Sequence, residues 1–144
     1  MFKNIKEMIE YCNQKEVKII DLKVVDMQGR WHRLSITKEK LSEDLISKGI
    51  GFDGSSYGFL TVEKSDMVMI PDVTTAYIDH YKKHHTMIVI ANIYIIKDNK
   101  VVRFDDDPRF IAHKTEEFMK HHDIADECLL GPEFEFFVLD HVSY

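Results

Sequence analysis

Apolar side chains at Ile5, Met8, Ile9 and Cys12 recur at i, i+3, i+4 and i+7, the spacing that lays one stripe along a helix, predicted over residues 4–14. The period then shortens. Residues 17–26 are rich in β-branched side chains, and residues 31–36 alternate with His32, Leu34 and Ile36 on one face. Between them Met27-Gln28-Gly29-Arg30 has turn chemistry, so the segment reads as a β-hairpin. Residues 38–48 predict a second helix with Leu41, Leu45 and Ile46 inward and Gly49 as its stop. Val68-Met69-Ile70 is a short strand closed by Pro71-Asp72, and residues 74–80 form a connection. Residues 87–96 are apolar almost without interruption, as in a strand buried on both faces, and Asp98-Asn99 turns into Val101-Val102. Asp105-Asp106-Asp107-Pro108 then supplies an acidic first turn, with proline at the first helical position. The helix it opens runs to about residue 121 and turns Ile111, Phe118 and Met119 inward.

Two stretches depart from plain core patterning. Gly51-Phe52-Asp53-Gly54-Ser55-Ser56-Tyr57-Gly58-Phe59 sets three glycines and two serines among aromatics, a composition suited to an ordered loop rather than to a helix or strand. Such a loop carries binding function or is a tight turn capped by Asp53, and the spacing favours neither. Near the end, Gly131-Pro132-Glu133-Phe134-Glu135-Phe136-Phe137-Val138-Leu139 reads as a strand with proline at its start. Glu133, Glu135 and Phe137 share one face; Phe134, Phe136 and Val138 share the other. Residues two apart lie roughly 6.6 Å apart on a strand, so both carboxylates address one space. The commoner use of such a pattern is a solvated outer face, although Phe137 on the acidic side points to partial enclosure. Enclosed, the pair needs cations. Mg²⁺ or Mn²⁺ takes oxygen ligands, and two-metal sites commonly serve phosphoryl chemistry. The histidines have plainer roles: His32 as a strand residue, His84 and His85 in a solvated turn, His121 and His122 at a helix C-terminus.

Composition narrows the class. The 144 residues are 44% hydrophobic and carry 25 acidic against 19 basic side chains, enough for one compact domain or a small domain with part of another. A formal charge of −6 without a Lys/Arg block argues against nucleic acid and against anionic membrane. Cys12 and Cys128 are far apart and outside any metal-binding spacing, which fits a reducing cytosol. No secretory signal opens the chain and the longest apolar run is too short to cross a bilayer, so a cytoplasmic protein is expected.

Taken together, Gly51-Phe52-Asp53-Gly54-Ser55-Ser56, Ser65-Asp66-Met67 with Pro71-Asp72, Asp107-Pro108-Arg109, and the Gly131-Pro132-Glu133-Phe134-Glu135 stretch resemble glutamine synthetase of the bacterial and archaeal type. Four motifs in the family's order cover nearly the whole chain, but only the N-terminal part of that longer family. The resemblance implies an α+β fold: a β-grasp N-terminal domain over residues 1–102, then the first helix and strand of the catalytic domain over residues 103–144. It implies an ATP- and Mg²⁺-dependent (or Mn²⁺-dependent) ligase that phosphorylates glutamate and lets ammonia displace phosphate, through γ-glutamyl phosphate. By the same resemblance Glu135 binds the metal that holds glutamate, Glu133 binds the metal that holds the ATP phosphates, and Asp53 with Ser56 beside it serves ammonium across a subunit interface. The family assembles as homo-oligomeric rings with sites between neighbours, so these 144 residues alone are expected to be inactive. One departure stands out: where the family reads roughly I-G-G-W after the serines, this chain has the shorter Tyr57-Gly58-Phe59. That bears on amine choice. A γ-glutamyl ligase for larger amines, and a catalytically silent homologue or β-grasp binding module, are the alternatives.

Overall fold

The computed structural model describes residues 2–61 and 66–143, so Ser65 of the second motif lies outside the described residues. Contacts divide the chain into two units, Met1–His113 and Lys114–Tyr144.

The first unit follows the hydrophobic pattern closely. Helix α1 (Ile5–Gln14) starts where the Asn4 carboxamide accepts the Glu7 amide at 3.0 Å, and it buries Ile5, Met8 and Cys12. Strands β1 (Ile19–Val25) and β2 (Trp31–Thr37) form the expected antiparallel hairpin, with Leu22 opposite Leu34 and Val24 opposite His32. Its turn is organised by Asp26, whose Oδ1 accepts the amides of Gln28 and Arg30 at 2.9 and 2.8 Å.

The helix expected over residues 38–48 is divided. Lys38–Lys40 make one 3-10 turn, Leu41 is extended, and Ser42 caps a shorter helix, α2 (Glu43–Lys48), by accepting the Leu45 amide. The break lets both Leu41 and Leu45 reach the core. Gly49 stops α2 at φ +71°, where an added Cβ would strike Val68 Cγ1 and lie 2.6 Å from the Met69 carbonyl oxygen.

The expected loop of residues 51–59 begins instead as strand β3 (Ile50–Asp53), antiparallel to β4 (Asp66–Pro71), with Phe52 opposite Met67. The connection over residues 74–80 likewise contains a strand, β5 (Tyr77–Asp79), paired with the long β6 (Thr86–Lys97). Both departures have one cause. A neighbouring strand supplies a hydrogen-bond ladder that local composition does not announce. β6 also turns through Asp98 and Asn99, both at positive φ, into β7 (Lys100–Arg103).

The sheet order is β2-β1-β6-β4-β3, with β5 and β7 also on β6; β1 and β6 are parallel and the other pairs antiparallel. The core joins α1 and α2 to the sheet through Met8, Cys12, Leu22, Leu45, Met87 and Ile93, and Cys12 Sγ lies 3.6 Å from Met87 Sδ.

Helix α3 (Pro108–His121) starts at Asp107, 1% exposed, the residue that the acidic turn expects as a cap. Its carboxylate accepts the Arg109 amide, the Ile93 amide and the Arg103 guanidinium, each at 3.1 Å, so one side chain caps the helix and fixes it to β6. The inward face expected of this helix is not buried: Ile111 and Phe118 are 41% and 56% exposed. An amphipathic stripe forms from local periodicity, but burying it takes a second apolar surface.

In the second unit the expected strand over residues 131–139 is absent. Phe134, Phe136 and Phe137 are more than 80% exposed, and no regular element is formed from residue 125 to residue 143. A strand is held by its ladder, and among the described residues none pairs with this stretch.

Candidate active site

The Asp53 carboxylate sits at the C-terminal end of β3, exposed, where the chain leaves the sheet and enters a single 3-10 turn, Gly54–Tyr57. Its Oδ1 accepts the Ser55 amide at 2.9 Å and the Ser55 hydroxyl at 2.6 Å, and its Oδ2 accepts the Ser56 hydroxyl at 3.1 Å. Asp53 is therefore the cap of the turn. Because it is also exposed, the same geometry presents an oriented carboxylate to solvent. Gly58 reverses the chain at φ +74°, and the Phe59 amide donates to the Gly54 carbonyl at 3.0 Å.

Aromatic rings hold the turn from below and from the side. Phe59 is buried, edge-on to Phe52 and Phe104 at centroid distances of 6.4 and 5.9 Å. Tyr57 lies between two rings, 5.4 Å from Phe52 of β3 and 4.4 Å from His32 of β2, and its hydroxyl donates to the Arg33 carbonyl at 3.3 Å. Burial raises the Tyr57 phenol above its ordinary pKa. The first and last strands of the sheet order thus meet through one side chain.

His32 has a partner that sequence spacing does not suggest. Its Nε2 lies 2.7 Å from Asp26 Oδ2, joined across the hairpin turn, and the Asp26 side chain is 4% exposed. The hydrogen bond from His32 is the main cause that holds the Asp26 carboxyl below its ordinary range; the Arg30 and Gln28 amides act in the same direction and burial opposes them. The signal for this pair is an aspartate opening a hairpin turn with a polar ring two residues into the return strand.

Asp53 and Ser56 are brought together. Glu133 and Glu135 lie in the second unit, exposed and in no regular element. As hard oxygen donors the two carboxylates suit Mg²⁺ or Mn²⁺. Among the described residues no three His, Cys, Asp or Glu side chains are grouped to hold a metal. No helix among the described residues is long and apolar enough to cross a membrane.

The sequence profile of the glutamine synthetase β-grasp domain matches residues 16–96, from the entry of β1 to the end of β6. The chain belongs to the glutamine synthetase β-grasp family. Glutamine synthetase of Frankia alni is 33% identical across all of this chain, and that of Aquifex aeolicus 35% identical over 96% of it. The chain spans about 30% of the length of these curated relatives. In three dimensions a Plasmodium falciparum glutamine synthetase superposes with a TM-score of 0.72 over 84% of this chain and 23% of its own, at 23% identity. A GmaS–ADP complex superposes at 0.68 over 80% of this chain and 26% of its own, at 16% identity. At these identities the two structures share the fold. Within the β-grasp family the curled sheet is thus the expected frame for the Asp53 turn.

Proposed function

We propose that this chain is the N-terminal part of an ATP-dependent glutamate–ammonia ligase that works through γ-glutamyl phosphate. The observation that carries the reading is sequence likeness to glutamine synthetases over the full 144 residues at 33–35% identity. The exposed, hydrogen-bonded Asp53 carboxylate adds chemical sense. An ionised carboxylate anchored at one end of a turn accepts charge-assisted hydrogen bonds from ammonium, then takes a proton and leaves the nitrogen lone pair free to attack. Ser56, 3.1 Å away, orients that carboxylate.

ATP with a divalent metal supplies the leaving phosphate and the neutralising charge for phosphoryl transfer when bound. Glu135 is the proposed ligand on the glutamate side and Glu133 on the nucleotide side, with the remaining ligands contributed from outside these residues. We further propose a catalytic domain beginning near Arg103, a ring of identical subunits in which Asp53 serves a neighbour's site, and a cytoplasmic location. On this reading the 144 residues alone have no ligase activity.

The test is phosphate release by the longer ligase that contains this segment, with ATP, Mg²⁺ and glutamate, comparing ammonium with a panel of larger amines. Ammonium-dependent release, with Asp53→Ala raising the ammonium KM at least tenfold and leaving that for ATP unchanged, is the expected result. Release with larger amines alone would assign a γ-glutamyl amine ligase, the alternative that the shorter Tyr57-Gly58-Phe59 loop leaves open. No release with any amine would leave a catalytically silent homologue or a β-grasp binding module.

A further inference from the structure

We propose that His32 is a positioning residue for the amine site: through its stack on Tyr57 it fixes the Asp53 turn, and so sets how tightly the site takes ammonium. This rests on the ligase reading above.

Two ends of a curled sheet meet at this point. Strand β2 begins the sheet order and β3 ends it, and the turn after β3 carries Asp53, Ser55 and Ser56. Glycines at positions 54 and 58 flank the turn, and hydrogen bonds within it run from Ser55 and Ser56 to Asp53, from Gly58 to Ser55 and from Phe59 to Gly54. Side chains anchor such a turn from outside it: Phe59 is buried against Phe52 and Phe104 below, and Tyr57 holds it from the side. The Tyr57 ring lies 4.4 Å from His32 at an interplanar angle of 19°, and its hydroxyl reaches the Arg33 carbonyl of the same strand.

His32 is in turn prevented from rotating. Its Nε2 is 2.7 Å from Asp26 Oδ2, and Asp26 is fixed by the Gln28 and Arg30 amides of the hairpin turn. The chain of contacts runs from the hairpin turn to Asp26, His32, Tyr57 and the Asp53 turn.

The variants separate stacking from hydrogen bonding. His32→Ala removes both, His32→Gln keeps a donor toward Asp26 without the ring, and His32→Phe keeps the ring without the donor. Amide exchange in the 144-residue chain reads the turn directly at Ser55, Gly58 and Phe59, with Ala91 and Ile93 of β6 as internal reference. We expect His32→Ala and His32→Gln to speed exchange at the three turn amides by about tenfold, the scale of one lost aromatic pair, while the β6 amides keep their rates. His32→Phe should restore protection.

In the longer ligase the same two variants should raise the ammonium KM by about tenfold with the KM for ATP and glutamate unchanged, again rescued by phenylalanine. Unchanged turn exchange in His32→Ala, or rescue by glutamine rather than phenylalanine, overturns the stacking role. Loosened exchange with an unaltered ammonium KM overturns the link to the amine site. A ligase that uses no amine at all refutes the functional reading instead, and the exchange result then stands on its own.

Discussion

Asp53 and the pair Glu133 and Glu135 are acids picked out by the same sequence reasoning, yet the two regions differ sharply. Around Asp53 every level of structure agrees. β3 is paired, the turn is capped, and three aromatic rings are packed beneath and beside it. Around the two glutamates the alternation is just as clear, but the phenylalanines meant for a core are exposed. A periodic pattern states which face wants burial; only a second surface provides it.

The sharpest way to test this contrast is to truncate one apolar residue in each region. Ile93, fully buried in β6, should cost about 2–5 kcal/mol as Ile93→Ala, whereas Phe136→Ala, at 82% exposure, should stay within about 0.5 kcal/mol in a urea titration. Comparable losses would mean that the second unit has a core of its own.

Thiol chemistry gives a second comparison. Burial pushes the Cys12 thiol up to about 11, with the Lys38 charge opposing, from an ordinary 9.0; Cys128 is exposed. Ionisation alone then slows Cys12 alkylation about a hundredfold, and one equivalent of a thiol reagent should label Cys128 in the native chain. Equal labelling of both would show that α1 opens readily.

Glycines repeat the contrast on the backbone. Gly49→Ala meets Val68 and the Met69 carbonyl at positive φ and should lower stability by about 2 kcal/mol; Gly131→Ala, with nothing within 4 Å of the new carbon, should leave the melting point in place.

The smallest effect is electrostatic. The folded Asp26 carboxyl lies below its ordinary 3.8, so its pairing with His32 stabilises fully above that value and is lost as pH falls through the lower folded one. As pH falls below the ordinary 3.8, Asp26→Asn should lose less stability than the parent chain, measured by chemical denaturation. An identical acid response would remove Asp26 from the account.

Much of this was legible beforehand, for reasons that can be named. α1, the hairpin, the buried run of β6 and the stop at Gly49 are all specified by residues within a few positions of one another. β3 and β5 were hidden because their pairing partners are remote and their composition, with glycine in one and three residues in the other, is indifferent. That Asp53 caps its turn was one of the two readings that the loop composition left open. The His32 contact was not legible, because it exists only once the two ends of the sheet have been brought together.

That closure also sets an order of events during synthesis. β1 is hydrogen-bonded to β6 with Ile19 opposite Thr86, so the hairpin leaves the ribosome long before the strand that completes its sheet. At about 5–20 residues per second the interval is roughly 3–13 s, against microseconds for the hairpin itself. Through that interval Ile20, Leu22 and Val24, all buried in the finished fold, face solvent or a chaperone, and β6 is the segment whose arrival ends the exposure.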